Sequence, residues 1–276
     1  MKLLSKNEIN KLNRSLANPI DYRKSGLSLN HVIGCPLDCS YCVRHIFNNF
    51  DMKTPCLLMS TEEAIEKLIN HKYFVPNLTP LQLFNRATDP FLPSVKEETF
   101  RVLELLSQKG LTNLLLLITR YKITEDDAKK LNRFLPLKLS VLVTYSGIQD
   151  EKLEPVSSDI AIESLKIAYK NSRNYKVILY WRPLISGVND TLEHIEKAAL
   201  LSGFAHATAF TGFFYRDEMK NYFEDNKISI AYTHTERRKM LPKVQEHLVL
   251  REFYDLGGVN LFRKTSCAVS FAFNLP

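Results

Sequence analysis

Three cysteines fall within eight positions of one another, in Gly34-Cys35-Pro36-Leu37-Asp38-Cys39-Ser40-Tyr41-Cys42. Thiolates are soft ligands that select iron–sulfur clusters or zinc over hard cations. Three of them can each hold one iron of a [4Fe-4S] cube, leaving the fourth iron open. An open iron can chelate the amino and carboxylate groups of a bound cofactor. Zinc is the competing occupant; it needs a fourth ligand, and His31 and His45 are near enough in sequence to be recruited. The two remaining cysteines, Cys56 and Cys267, stand alone. This spacing is not that of a secreted disulfide framework, and metal ligation in a reducing compartment is the expectation.

The motif CxxxCxxC, with aromatic Tyr41 before its last cysteine, resembles the signature of the radical S-adenosylmethionine (radical SAM) superfamily. The resemblance implies one [4Fe-4S] cluster, fed by a donor such as flavodoxin or ferredoxin. The reduced cluster would cleave S-adenosylmethionine to methionine and a 5′-deoxyadenosyl radical, which takes a hydrogen atom from substrate. It also implies that Tyr41 lies near the adenine. A narrower likeness runs from about Cys35 to Phe214. Thr88-Asp89-Pro90-Phe91, Thr99-Phe100-Arg101, Leu117-Ile118-Thr119-Arg120, Leu153-Glu154-Pro155 and Arg182-Pro183-Leu184-Ile185-Ser186-Gly187-Val188-Asn189-Asp190 occur in that order. The set is similar to the spore photoproduct lyase-related, DNA-repair photolyase-like branch, which implies a lyase-like reaction on a nucleic acid or nucleotide-like substrate. The same chemistry on a peptide or small metabolite is the alternative. A non-catalytic iron–sulfur or zinc protein is a third reading.

Many radical SAM enzymes hold the methionine amine with a Gly-Gly-Glu turn after the second strand. Here that place reads Asn85-Arg86-Ala87-Thr88-Asp89. Asn85, Thr88 and Asp89 can offer acceptors to an ammonium, while Arg86 would point at substrate or at the cofactor carboxylate. Asp89 can equally be an Asp-Pro turn former. Thr144 and Ser146, with Thr119-Arg120, offer polar groups to the cofactor ribose. Arg182 is expected, ahead of Arg120, to grip the methionine carboxylate with two parallel bonds. Cys267 is a candidate hydrogen donor by analogy with the cysteine for which spore photoproduct lyase is known; its other reading is a small buried hydrophobe. Phe210, Phe213, Phe214, Tyr215 and Tyr222 could stack on a base or form core.

These residues need a scaffold that brings successive strand ends together. Short apolar runs alternate with amphipathic stretches: strands at Leu27–Ile33, Leu81–Asn85, Leu114–Thr119, Lys138–Thr144, Lys176–Trp181 and Ala205–Phe210, each followed by a helical pattern. Ser60 and Glu63 form a capping box at the first of these helices, and Gly110 and Gly203 close two later ones. Six strand–helix units predict an α/β fold, a parallel (β/α)6 open TIM-like barrel with its chemistry at the C-terminal strand ends. The expected division is 1–25 as an N-terminal extension, 26–212 as the core and 213–276 as a substrate-capping segment. In that segment Ala231–Gly257 should be mostly helical, broken at Pro242, and Val259–Phe273 should be a last strand closing the open side.

The composition is that of a globular protein: 276 residues, 45% hydrophobic and 24% charged. No apolar run predicts a transmembrane span, and the polar opening after Leu4 predicts no signal peptide, so a cytoplasmic location is expected. The net charge of +7 is spread along the chain, either as a solvated surface or as a basic rim for a polyanion such as nucleic acid.

Overall fold

The structure, a computed structural model, describes residues 1–23 and 25–275. In chain order, β1 (Lys2–Leu3), α1 (Lys6–Asn10) and α2 (Arg14–Ala17) lead into β2 (Ile20–Arg23), β3 (Gly26–Leu29) and β4 (Val32–Ile33). A 3-10 helix (Val43–Phe47) and β5 (Cys56–Leu57) follow. The repeating units are then α3 (Thr61–Ile69), β6 (Leu81–Leu83), α4 (Lys96–Gln108), β7 (Leu114–Thr119), α5 (Glu125–Leu131), β8 (Lys138–Tyr145), α6 (Ser158–Asn171), β9 (Tyr175–Leu184), α7 (Leu192–Ser202) and β10 (Ala207–Gly212). The chain ends with α8 (Asp217–Asp225), α9 (Lys243–Asp255), β11 (Leu261–Phe262) and α10 (Thr265–Ala272).

The main sheet has eight strands in the order β11-β10-β9-β8-β7-β6-β3-β2. All neighbours pair in parallel except β2, which runs antiparallel to β3 at one edge. The six expected parallel strands are therefore present as an open barrel. Side chains alternate across it with the period of two that a strand imposes. In β9, Val177, Leu179 and Trp181 join the core shared with the outer helices, while Ile178 and Tyr180 belong to a separate inner cluster. Most expected element boundaries hold to within two or three residues, because the caps are where the sequence placed them. Ser60 accepts from the Glu63 amide and Glu63 reaches back to the Ser60 amide.

Three expectations are corrected. The expected first strand, Leu27–Ile33, is broken at Asn30-His31. The Asn30 amide bonds the Pro19 carbonyl, and β4 turns away to pair with β5 in a small sheet of order β1-β5-β4. Second, Val259–Phe273 is a two-residue strand followed by a helix. Ala268, Val269 and Ala272 share one face of α10 and pack against Ala207 and Ala209 inside the barrel, where small residues on both sides allow close approach. The open barrel is thus plugged from within as well as extended at its edge. Third, residues 227–241 contain no helix; α9 begins only after Pro242, which sits at its N-cap. Among the described residues no helix is long and apolar enough to cross a membrane.

Candidate active site

The cysteine loop leaves β4 through Gly34, whose backbone has a φ of +96° and whose missing Cβ would lie 2.5 Å from the Thr54 carbonyl oxygen. Only glycine suits both the conformation and the close approach. The loop is held from outside. The Cys35 amide donates to the Met52 carbonyl (2.8 Å), and the Ser40 amide to the Leu153 carbonyl (3.1 Å). Beneath it lies Arg44, 2% exposed, whose guanidinium donates to the carbonyls of Cys35 (2.7 Å), Asn49 (3.3 Å) and Phe50. Sequence reasoning missed Arg44 because a cation two residues beyond Cys42 reads as surface.

Cys35, Cys39 and Cys42 all line one cavity of about 580 Å³ at the C-terminal ends of the barrel strands. Cys35 and Cys39 are buried and Cys42 is half-buried. Burial pushes the Cys35 and Cys39 thiols up, so any metal that they bound would have to displace their protons. Among the described residues no three His, Cys, Asp or Glu side chains are gathered around a single ion. The three thiols face one cavity without meeting at one point, an arrangement that suits a cluster in which each ligand takes a different iron better than a single ion. His31 and His45 are engaged elsewhere: His31 Nε2 lies 3.0 Å from Thr61 Oγ1, and His45 stacks on Phe50 with ring centroids 3.8 Å apart.

Next to the cysteines, Arg120 donates to the Tyr41 hydroxyl (2.5 Å) and pairs with the buried carboxylate of Glu154. The Cys39 thiol donates to the same carboxyl (3.4 Å). Burial pushes the Glu154 carboxyl up, against the opposing pull of the Cys39 thiol, the Val156 amide and the Arg182 charge, and the paired Arg120 guanidinium favours its ionised form. Glu154 stands in the Leu153-Glu154-Pro155 motif, which was the available signal, yet nothing in sequence ties it to Cys39.

The turn after β6 differs from the expectation of a set of free acceptors. The Asp89 carboxylate accepts from Thr119 Oγ1 (2.7 Å), the Arg120 amide (2.8 Å) and the Phe91 amide (2.9 Å). Burial pushes its pKa up, and those three donors hold it down. It therefore ties the turn to the end of β7. Asn85 accepts from Ser28 (2.7 Å) and donates to Gln82 (2.8 Å). Arg86 is turned to the Ser15 and Asn18 carbonyls (2.6 and 3.0 Å) and so anchors the N-terminal segment. Thr88 keeps a buried hydroxyl without a partner, facing the cavity.

Further round the barrel, Thr144, Tyr180, Arg182 and Thr211 line the cavity from β8, β9 and β10. The Arg182 guanidinium lies 4.5 Å from the Tyr180 ring centroid, and its Nε is buried without a partner. Ser146 falls outside the cavity, in a small cleft behind it, with its hydroxyl accepting from the Ile148 amide. The loop after β9 is stitched to the end of β8 by Asn189, which donates to the Ser146 and Pro183 carbonyls. Of the aromatic group, Phe213 and Phe214 reach the cavity. Phe210 is in the main core, Tyr215 packs on Phe213 and Phe223, and Tyr222 packs against His45 and Phe50. Cys267 is exposed on α10 and Cys56 is half-buried; neither lines the cavity.

No protein-family model and no curated protein matches the sequence. Solved structures do match in fold. Spore photoproduct lyase complexed with dinucleoside spore photoproduct superposes with a TM-score of 0.64 at 13% identity, over 91% of this chain and 80% of that one. A doubly substituted mutant of the same lyase, with bound AdoMet and dinucleoside spore photoproduct, gives a TM-score of 0.64 at 13% identity over 92% and 81%. SuiB of Streptococcus suis bound to S-adenosylmethionine gives 0.53 at 9% identity, over 89% of this chain and 51% of that one.

Proposed function

We propose that this chain is a radical SAM enzyme that binds one [4Fe-4S] cluster and S-adenosylmethionine and acts on a nucleic acid or nucleotide-like substrate. The observation that carries the reading is that Cys35, Cys39 and Cys42 face a single cavity together with polar residues from the ends of successive parallel strands. The neighbours in fold include proteins solved with S-adenosylmethionine and with a dinucleoside, which supports the cofactor and the substrate class by analogy.

When bound, the cluster supplies one electron for reductive cleavage of S-adenosylmethionine. The residues of this chain bind and orient. Tyr41, held by Arg120, offers its ring to the adenine. Thr144 offers a hydroxyl to the ribose, Thr88 an unpartnered hydroxyl to the methionine amine, and Arg182 an unpartnered Nε to the methionine carboxylate. Arg120 is committed to Tyr41 and Glu154, which leaves Arg182 the better carboxylate ligand. In this reading residues 26–212 form the catalytic core, 213–276 cap the substrate, and a flavodoxin or ferredoxin in the cytoplasm delivers the electron.

The test is anaerobic reconstitution with iron and sulfide, followed by dithionite and S-adenosylmethionine. About four irons per chain and the appearance of 5′-deoxyadenosine by chromatography are expected. An iron-loaded chain that leaves S-adenosylmethionine intact would return the protein to the class of non-catalytic binders.

A further inference from the structure

We infer that the β9–β10 side of the cavity is a subsite for a phosphoryl group of the substrate, built from Thr211, Arg237, Arg238 and Lys239. The inference rests on the radical SAM reading only in taking this cavity to be the reacting one.

The first observation is how the chain delivers the cations. Gly212 ends β10, and a Cβ there would overlap the Met240 carbonyl oxygen, so only a glycine lets the two backbones touch. Beyond it Phe213 and Met240 exchange both backbone hydrogen bonds, at 2.9 and 2.7 Å. The strap from α8 to α9 is therefore stapled to the end of β10. The three residues before the staple, Arg237, Arg238 and Lys239, all line the cavity.

The second observation is the charge balance. Eight cationic side chains line the cavity, Arg23, Arg44, Arg86, Arg120, Arg182, Arg237, Arg238 and Lys239, against one carboxylate, Asp89. Asp21 faces Arg23 and Arg86, Glu154 faces Arg120, and backbone carbonyls take up Arg44. Arg182 is assigned to the cofactor carboxylate. Among the described residues the three strap cations have no ion-pair partner. Lys239 Nζ instead lies 6.0 Å from the Tyr180 ring centroid. Tyr180 registers these charges in part: burial pushes its pKa up, and the Arg182 and Lys239 charges together with hydrogen bonds from Thr265 and Lys239 bring it down to about 8.

The third observation points to a ligand. Thr211 is 4% exposed, lines the cavity, and its hydroxyl has no hydrogen-bond partner. A buried unpaired hydroxyl carries a desolvation cost that a bound acceptor would remove. Three cations and a hydroxyl exceed what the two oxygens of a carboxylate can use. The charge and three terminal oxygens of a phosphoryl group match them better, and guanidinium recognises that geometry well.

The test uses the reconstituted chain and three fluorescent dinucleotides. One carries a 5′-terminal phosphate, one has only the internal phosphodiester, and one is linked by an uncharged methylphosphonate. Polarisation should show binding that depends on the phosphate and falls as salt rises; the first two probes distinguish a terminal from an internal group. Arg237→Gln, Arg238→Gln and Lys239→Gln should each weaken it about tenfold, as expected for one charged hydrogen bond. Thr211→Val, nearly isosteric, should weaken it severalfold in a chain with an unchanged melting curve. Equal affinity for the charged and uncharged probes overturns the subsite. So do variants whose only change is in S-adenosylmethionine affinity, or displacement of the probe by a dicarboxylate as readily as by inorganic phosphate. Formation of 5′-deoxyadenosine by the unaltered chain is read separately, so failure of the subsite and failure of the radical SAM reading give different results.

Discussion

The Cys39 thiol lies 3.4 Å from the buried carboxyl of Glu154, 115 positions further along the chain. The contact joins the cysteine loop after β4 to the loop after β8, and Arg120 at the end of β7 completes it through an ion pair. Replacing Glu154 by Ala leaves that guanidinium, 14% exposed, without its counter-charge. A loss of about 3 kcal/mol is expected, in the range for breaking a buried pair. A melting curve measured on Glu154→Ala checks this; an unchanged midpoint would make the contact incidental.

The triple substitution of Cys35, Cys39 and Cys42 to Ala should abolish iron binding and S-adenosylmethionine cleavage together. No other cysteine among the described residues faces the cavity, since Cys56 and Cys267 lie outside it. A variant that still binds about four irons anaerobically would show that the cluster sits elsewhere.

Arg182→Ala should weaken S-adenosylmethionine binding by roughly 1.5–3 kcal/mol, as for loss of a charged hydrogen-bonded contact. Iron content should stay the same, because Arg182 touches none of the three cysteines' loop bonds. Isothermal titration on the reconstituted variant measures it, and an unaltered isotherm would move the carboxylate contact to Arg120.

Stability should fall as pH drops from about 6.5 toward 4. Burial lowers the His31 pKa from 6.5 to about 4, so the folded state holds the ring neutral. The unfolded chain takes up a proton first, and the contribution present above pH 6.5 is lost progressively below it. The shift corresponds to about 3 kcal/mol. Melting temperature against pH should slope less steeply in His31→Gln than in the unaltered chain over this window. Parallel slopes would assign the acid sensitivity to other groups, of which His45, also lowered to about 4 chiefly by burial, is the first to test.

Cys267→Ala should change stability by no more than about 0.5 kcal/mol, as for an exposed site, and should leave the product pattern intact. The thiol is exposed on α10 and outside the cavity. Rapid alkylation of Cys267 in the folded chain, with turnover products unaffected, is the expected result. New radical-quenching products from the variant would restore it as a hydrogen donor.

Much of the scaffold was legible in the sequence, and the reason is locality. The Leu114–Thr119 strand, the Ser60–Glu63 box and the helix stop at Gly110 depend on neighbours a few residues away. The spacing of Cys35, Cys39 and Cys42 is likewise local, since the chemistry of three soft ligands on one short loop is written in the loop itself. Asp89 was legible only in part: its place at the cavity was foreseen, but its three donors come partly from Thr119 and Arg120 on the next strand.

Tertiary structure decided what distance along the chain concealed. Val259–Phe273 was expected as a last strand, yet from Thr265 it is helical, and Ala268 and Ala272 meet Ala207 and Ala209 at a close-packed contact inside the barrel. The roles of the arginines were decided in the same way. Arg86 and Arg120, similar in sequence setting, diverge because one meets the Ser15 and Asn18 carbonyls and the other meets Tyr41 and Glu154. The charge of a guanidinium is fixed by its type, but which partner removes it from water depends on which chain segments fold against it.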